Sequence, residues 1–139
     1  MIILDTNVIS EPMKSRGDPA VRDWLDRQEA ETLYVTATSL SELLTGIELV
    51  PTGKRRANLT LALTKLIERL FGPRILPFDG PAAIAYASVI GRTRAVGYTI
   101  SVADAQIAAI AQATGSIVAT RDIAPFVAAG TPIVNPWTD

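Results

Sequence analysis

Short apolar runs alternate with helix-length amphipathic stretches along this chain, and that alternation limits its fold more than any other feature. Ile2 to Leu4, Leu33 to Thr36, Ile75 to Phe78, Ile117 to Thr120 and Pro132 to Asn135 read as strands. Helix patterns fill the gaps. Asp18-Pro19 is a helix start, with Asp18 as N-cap and Pro19 at the first helical position; Val21, Trp24, Leu25 and Gln28 then follow helical spacing. Ser39 and Glu42 form a Ser-x-x-Glu capping pattern that predicts a helix to about Val50. After a turn at Pro51 and Gly53, Lys54 to Leu70 is the longest helix, with Leu59, Leu63, Leu66, Ile67 and Leu70 on one stripe, and Gly72-Pro73 stops it. Asp79 caps a helix from near Pro81 to about Thr93, Gly97 to Ile100 is a loop, and Ser101 with Asp104 opens a helix from Val102 to Thr114 that Gly115 ends. A short turn or helix follows around Ile123 to Ala128. Alternating strands and helices argue a parallel sheet covered on both faces. The expected fold class is α/β, an α/β/α sandwich around a central, mostly parallel sheet of about five strands.

At 139 residues the chain fits one domain, 1–139, with one core. A charged fraction of 19% against 48% hydrophobic is globular composition and excludes a disordered chain. The net charge of -1 does not advertise nucleic acid, so any nuclease reading must rest on a local site. The chain has no cysteine and no histidine. That removes disulfides, thiolate nucleophiles, thiolate zinc sites and any triad built on histidine. The missing cysteine fits a cytoplasmic location. Chemistry here must use carboxylates, hydroxyls, Lys, Arg or a hard metal. No stretch approaches the roughly 18 uncharged apolar residues of a membrane span. The opening Met-Ile-Ile-Leu-Asp lacks a basic stretch and reads as a buried strand, not a signal peptide.

Four acids stand at places that an open parallel sheet brings together. Asp5 follows the first strand and Asp122 the fourth, while Glu42 and Asp104 each lie in the first turn of an expected helix. Ligands bind outside the carboxyl ends of such strands. Crowded carboxylates cannot all ionise without a positive partner. An all-oxygen set favours magnesium or manganese over zinc, and such ions activate water for attack on a phosphate without histidine. Each acid also has a plainer reading. Asp5 serves as a loop residue or a cap, Glu42 as the third-position partner of Ser39, Asp104 as the partner of Ser101, and Asp122 as a turn residue. Asp104 fits its plain reading least. Between Val102 and Ala111 only Asp104 and Gln106 are polar, so the helix is buried on most sides and its carboxylate needs a partner.

The motifs themselves are distinctive as a set. Ile3-Leu4-Asp5-Thr6-Asn7, Ser39-x-x-Glu42-Leu43, Ala103-Asp104-x-x-Ile107-Ala108 and Ala119-Thr120-Arg121-Asp122 occur in this order. Together they resemble the PIN-domain ribonucleases, specifically the VapC class of toxin–antitoxin toxins. The stretch from Asp5 to Pro12, the stretch from Arg74 to Asp79 and the ending Asn135-Pro136-Trp137 resemble the FitB-like subgroup. The resemblance covers essentially the whole chain. It implies a PIN-like sandwich and a Mg2+- or Mn2+-dependent endoribonuclease. Asp5, Glu42 and Asp104 would be the metal-binding triad, Asp122 the fourth acid, and Thr6, Asn7 and Thr120 supporting residues that orient water or the carboxylates. It also implies a homodimer, a cognate antitoxin of ribbon-helix-helix type that places a basic side chain in the acidic pocket, and contact with operator DNA only through that antitoxin.

Candidate substrate contacts are few. Lys54, Arg55 and Arg56 form a basic run at a helix start, where cations oppose the helix dipole; that placement hints at phosphate contact, although a solvated surface is the leading reading. Arg92, Arg94 and Arg121 are further candidates, Arg121 being nearest the acids in sequence. The long helix stripe, with Leu43, Leu44 and Ile47 before it, reads as core, part of which a dimer partner would cover. Two other readings compete. One is a non-catalytic PIN-like module acting in a DNA-binding repressor complex with its antitoxin, for which a full set of repelling acids has no use. The other is a phospho-receiver or dehalogenase-type phosphatase. No Lys follows Lys65, and Asn7 stands where the phosphatase wants a second Asp, so both fit poorly.

Overall fold

In the computed structural model, which describes residues 1–139 apart from the side chain of Leu70, the sheet has five strands. They are β1 (Ile2–Leu4), β2 (Leu33–Thr36), β3 (Ile75–Leu76), β4 (Ile117–Ala119) and β5 (Ile133–Val134), in spatial order β3-β2-β1-β4-β5. Every pairing is parallel, which makes the sheet wholly rather than mostly parallel. The chain fills one side of β1 first, then returns to its other side as β4. That reversal of order at β1 and β4 opens a crevice at their carboxyl ends.

Alternation along the strands divides the core into two layers. Ile3, Tyr34 and Val118 face one side, against α5 (Gly80–Ala95), α6 (Val102–Thr114) and α7 (Ala124–Ala129). Leu4, Leu33, Val35 and Ala119 face the other, against α1 (Thr6–Ser10), α2 (Pro19–Asp26), α3 (Ala37–Glu48) and α4 (Lys54–Leu70). Phe126 anchors the first layer, Phe71 and Trp24 the second. The β-layer is short because only central strands gain neighbours on both sides; β3 and β5, the edges, keep two residues each where longer runs were expected.

The helix starts follow their caps. Asp18 Oδ1 accepts from the Ala20 amide, Asp79 Oδ1 from Ala82, and Ser101 Oγ from Asp104. Gly115, at φ 65°, closes α6 in the left-handed conformation that favours glycine. One cap departs from expectation. The α3 cap is Thr36, whose Oγ1 accepts from the Ser39 amide, so Ser39 lies inside the first turn and Glu42 in the second. Glu42 is therefore released from a capping role. Three further elements escaped the sequence reading: α1, directly after Asp5, and the 3-10 turns Glu11–Met13 and Ala30–Thr32. Leu43, Ile47, Leu66 and Ile67 pack on the second layer as expected, but Leu44 is half exposed. Among the described residues no helix is long and apolar enough to cross a membrane.

Candidate active site

The carboxylate of Asp5 is the fixed point of the crevice. It ends β1, is 5% exposed, and caps α1 by accepting from the Thr6 amide at Oδ1 (2.8 Å). Its Oδ2 accepts from Thr120 Oγ1 (2.8 Å), which follows β4. The Thr120 hydroxyl in turn accepts from Asn7 Nδ2 (3.2 Å) and from the Asp122 amide (3.0 Å). With two donors aimed at its oxygen, the hydroxyl proton has one remaining use, which is to bond Asp5. Asn7 Oδ1 accepts from the Arg121 amide (3.2 Å), so one asparagine ties α1 to the segment after β4. Of the supporting residues expected from sequence, Thr120 and Asn7 act through side chains, and Thr6 through its backbone.

The other three acids close around this point. Burial raises the Asp5 carboxyl above its ordinary value, its two hydrogen bonds oppose the rise, and the charges of Asp104 and Asp122 add to it. Glu42 is raised by burial and by Asp5 and Asp104. Asp104 is raised by burial and by Asp122, with Ser101 opposing. Asp5, Glu42, Asp104 and Asp122 thus share one field, as the rim argument expected. Asp104 is half-buried rather than fully buried, because its side chain leaves the packed face of α6. A bond from Thr38 Oγ1 to Gln106 Oε1 (2.9 Å) holds α3, which carries Glu42, against α6, which carries Asp104.

None of the four acids has a cationic partner among the described residues; the two ion pairs there are Lys14–Glu11 and Arg56–Glu48. Nor do any three acidic side chains among them stand at the spacing of a shared ligand set. The groups sit within electrostatic reach of one another, and of the four only Asp5 is pinned through both oxygens. The donor set is all oxygen and wants positive charge, which fits a hard divalent cation.

Most basic candidates lie elsewhere. Arg56 is bonded to Glu48 (2.7 Å) and Thr52 (3.3 Å), and neither Lys54 nor Arg55 touches the acids. Arg92 donates to Gln112 and to the Ala129 carbonyl, near the C-terminal ends of α6 and α7. Asp104 and Asp122 lie at the opposite ends of those helices. Arg121 alone stands among the acids in the chain, between Thr120 and Asp122, with its guanidinium 4.6 Å from the Trp137 ring centroid. A buried acid that sequence reasoning missed, Glu11, lies nearby. It accepts from Lys14 Nζ (2.9 Å) and the Asp18 amide (2.9 Å), and it is lowered by Lys14, by that amide and by Arg121.

Comparison with known proteins resolves the family. The family model described as PIN domain matches residues 2–130. The chain belongs to the PIN-domain family. Its relatives in that family match along nearly their whole length. The plasmid stability protein StbB of Pseudomonas syringae pv. tomato is 48% identical over 137 residues, covering 99% of both chains. The VapC ribonuclease Y4jK of Sinorhizobium fredii is 46% identical over 137 residues, covering 99% of this PIN domain and 98% of the relative. Toxin FitB of Neisseria gonorrhoeae is 42% identical over 139 residues with full coverage of both. The crystal structure of FitAcB from the same organism superimposes with a TM-score of 0.93 at 42% identity, again over 100% of each chain.

Proposed function

We propose that this PIN domain is the toxin of a toxin–antitoxin pair and a metal-dependent endoribonuclease. The observation that carries the reading is the Asp5 carboxylate: buried, gripped through both oxygens, and lying in the field of Glu42, Asp104 and Asp122, with none of the four acids ion-paired to a cation among the described residues. A buried carboxylate without a cationic partner is costly, and a site that keeps Asp5 so, with three more acids beside it, has a use for them. The names of the relatives, a ribonuclease and a toxin, support the same reading.

Asp5, Glu42, Asp104 and Asp122 would hold one or two Mg2+ or Mn2+ ions. Such an ion supplies Lewis acidity at the phosphate and a lowered pKa for the attacking water. The rest is the work of the chain. Thr120 and the Thr6 amide keep Asp5 in one rotamer, Asn7 keeps Thr120 in its donor orientation, and the Thr38–Gln106 bond sets the spacing of Glu42 from Asp104. The pocket's negative field suits neutralisation by a basic side chain from a cognate antitoxin, of ribbon-helix-helix type, which would bring the pair to operator DNA. A homodimer completes this reading. The FitAcB structure supports the pairing.

The test is direct. Asp5→Asn and Asp104→Asn abolish cleavage of RNA in Mg2+ or Mn2+ and relieve growth arrest, while circular dichroism keeps the wild-type spectrum. Wild-type cutting rates in either variant would remove the site assignment.

A further inference from the structure

Arg121 is an exposed cation at the edge of an acidic site, and its surroundings hold it there. Its amide donates to Asn7 Oδ1, which fixes the backbone relative to Asp5. Its guanidinium lies on the ring of Trp137, 4.6 Å from the centroid. Trp137 is itself restrained: its amide donates to Asn135 Oδ1 (3.0 Å), and its ring packs on the second core layer. Glu11, anchored by Lys14 and the Asp18 amide, adds a weak electrostatic attraction. Among the described residues no acceptor is hydrogen-bonded to the Arg121 guanidinium and no carboxylate is ion-paired with it. With its Cζ over the ring, the guanidinium keeps N–H donors without a protein acceptor among the described residues, and its planar fork matches a phosphate as a lysine ammonium does not.

We infer that Arg121, braced on Trp137, binds a backbone phosphate of the RNA next to the scissile bond, with Trp137 as its positioning residue. A strand approaching four carboxylates meets repulsion, and in a chain of net charge -1 a fixed cation beside them supplies local attraction. The inference rests on the ribonuclease reading, and it gives one of the chain's basic residues a defined partner.

Steady-state cleavage of a short fluorescein-labelled single-stranded RNA across a KCl series tests it. Arg121→Gln raises KM about tenfold and leaves kcat within about twofold, the size of one hydrogen bond to a charged group. The slope of log kcat/KM against log salt shrinks by about 0.7, the value of one phosphate contact on a single strand. Trp137→Leu raises KM in the same direction and Trp137→Phe restores it, which a merely structural role would not separate from kcat. A wild-type KM and salt slope in Arg121→Gln overturns the inference. If the wild-type protein cuts no RNA with either metal, the ribonuclease reading fails instead. Fluorescence anisotropy of the same RNA then decides the anchor: weaker binding by Arg121→Gln sustains it, and equal binding overturns it.

Discussion

Asp5 and Glu11 are buried to the same degree, 5% and 6% exposed, and one short helix separates them, yet their carboxyls move in opposite directions. Glu11 has an ion pair, a backbone donor and a distant arginine, and is lowered. Asp5 is raised by its burial, which its two neutral donors oppose and its two acidic neighbours reinforce. The same burial thus produces a structural acid in one place and a strained, reactive one in the other. Desolvation that two neutral donors do not offset decides for Asp5, and the bonds from Lys14 and the Asp18 amide decide for Glu11; the difference separates groups that serve the fold from groups the fold must support.

Removing the support of Asp5 has the largest expected effect. Thr120→Val deletes the donor to Oδ2 and the acceptor for Asn7 and Asp122, and lowers kcat/KM about 10- to 100-fold, as loss of an outer hydrogen-bond partner at a metal site does. Cleavage assays on the purified variant read this; an unchanged kcat/KM removes Thr120 from the site. Glu11→Ala comes next. It strands the Asp18 amide in a tight loop where a Cβ on Gly17 would fall 2.5 Å from the Glu11 carbonyl oxygen, leaving little room to rearrange. Stability falls by about 1–3 kcal/mol, the cost of an unmet buried donor, in urea titrations. Asp104→Asn does the reverse: it relieves repulsion and leaves stability equal or higher by up to about 1 kcal/mol. A marked loss in that variant contradicts the contrast.

The smallest effect is in pH dependence. Asp5, Asp104 and Glu42 bind protons in the folded state above their free values of 3.8, 3.8 and 4.5. Between those values and the raised ones, the native state holds more protons than the unfolded chain. Stability therefore falls as pH rises through that window and stays lower above it. Glu11 has the opposite sign. Its contribution is complete above 4.5 and is lost as pH falls through its lowered native value. Denaturant midpoints measured across the acid range should show the first slope flattened by Asp104→Asn and the second by Glu11→Gln.

Much of this was legible in the chain. Asp18-Pro19, Asp79, Ser101 and Gly115 carry their helix ends because the signals are local: a short polar side chain, a fixed φ, a residue without Cβ. The meeting of Asp5 with Asp122 follows from parallel strands sharing one carboxyl edge. Thr36 was obscured because a β-branched residue ending an apolar run reads as strand, and Ser39 offers a rival cap three residues on. Helix α1 is too short to display a period. Glu11 escaped because one of its partners is a backbone amide, which every residue but proline possesses. The stacking of Arg121 on Trp137 depends on the adjacency of β4 and β5, which no spacing announces.

Because β1 lies between β2 and β4, the acidic pocket is assembled from residues far apart in the sequence, Asp5, Glu42, Asp104 and Asp122. A chain emerging from the ribosome carries Asp5 from the outset, but until the segment around residues 117–122 has been made and has paired, Asp5 lacks Thr120 and the pocket lacks Asp122. On the proposed reading, hydrolytic capacity would arrive only once residues 117–122 have been made and have paired, so fragments that lack them would not cut RNA.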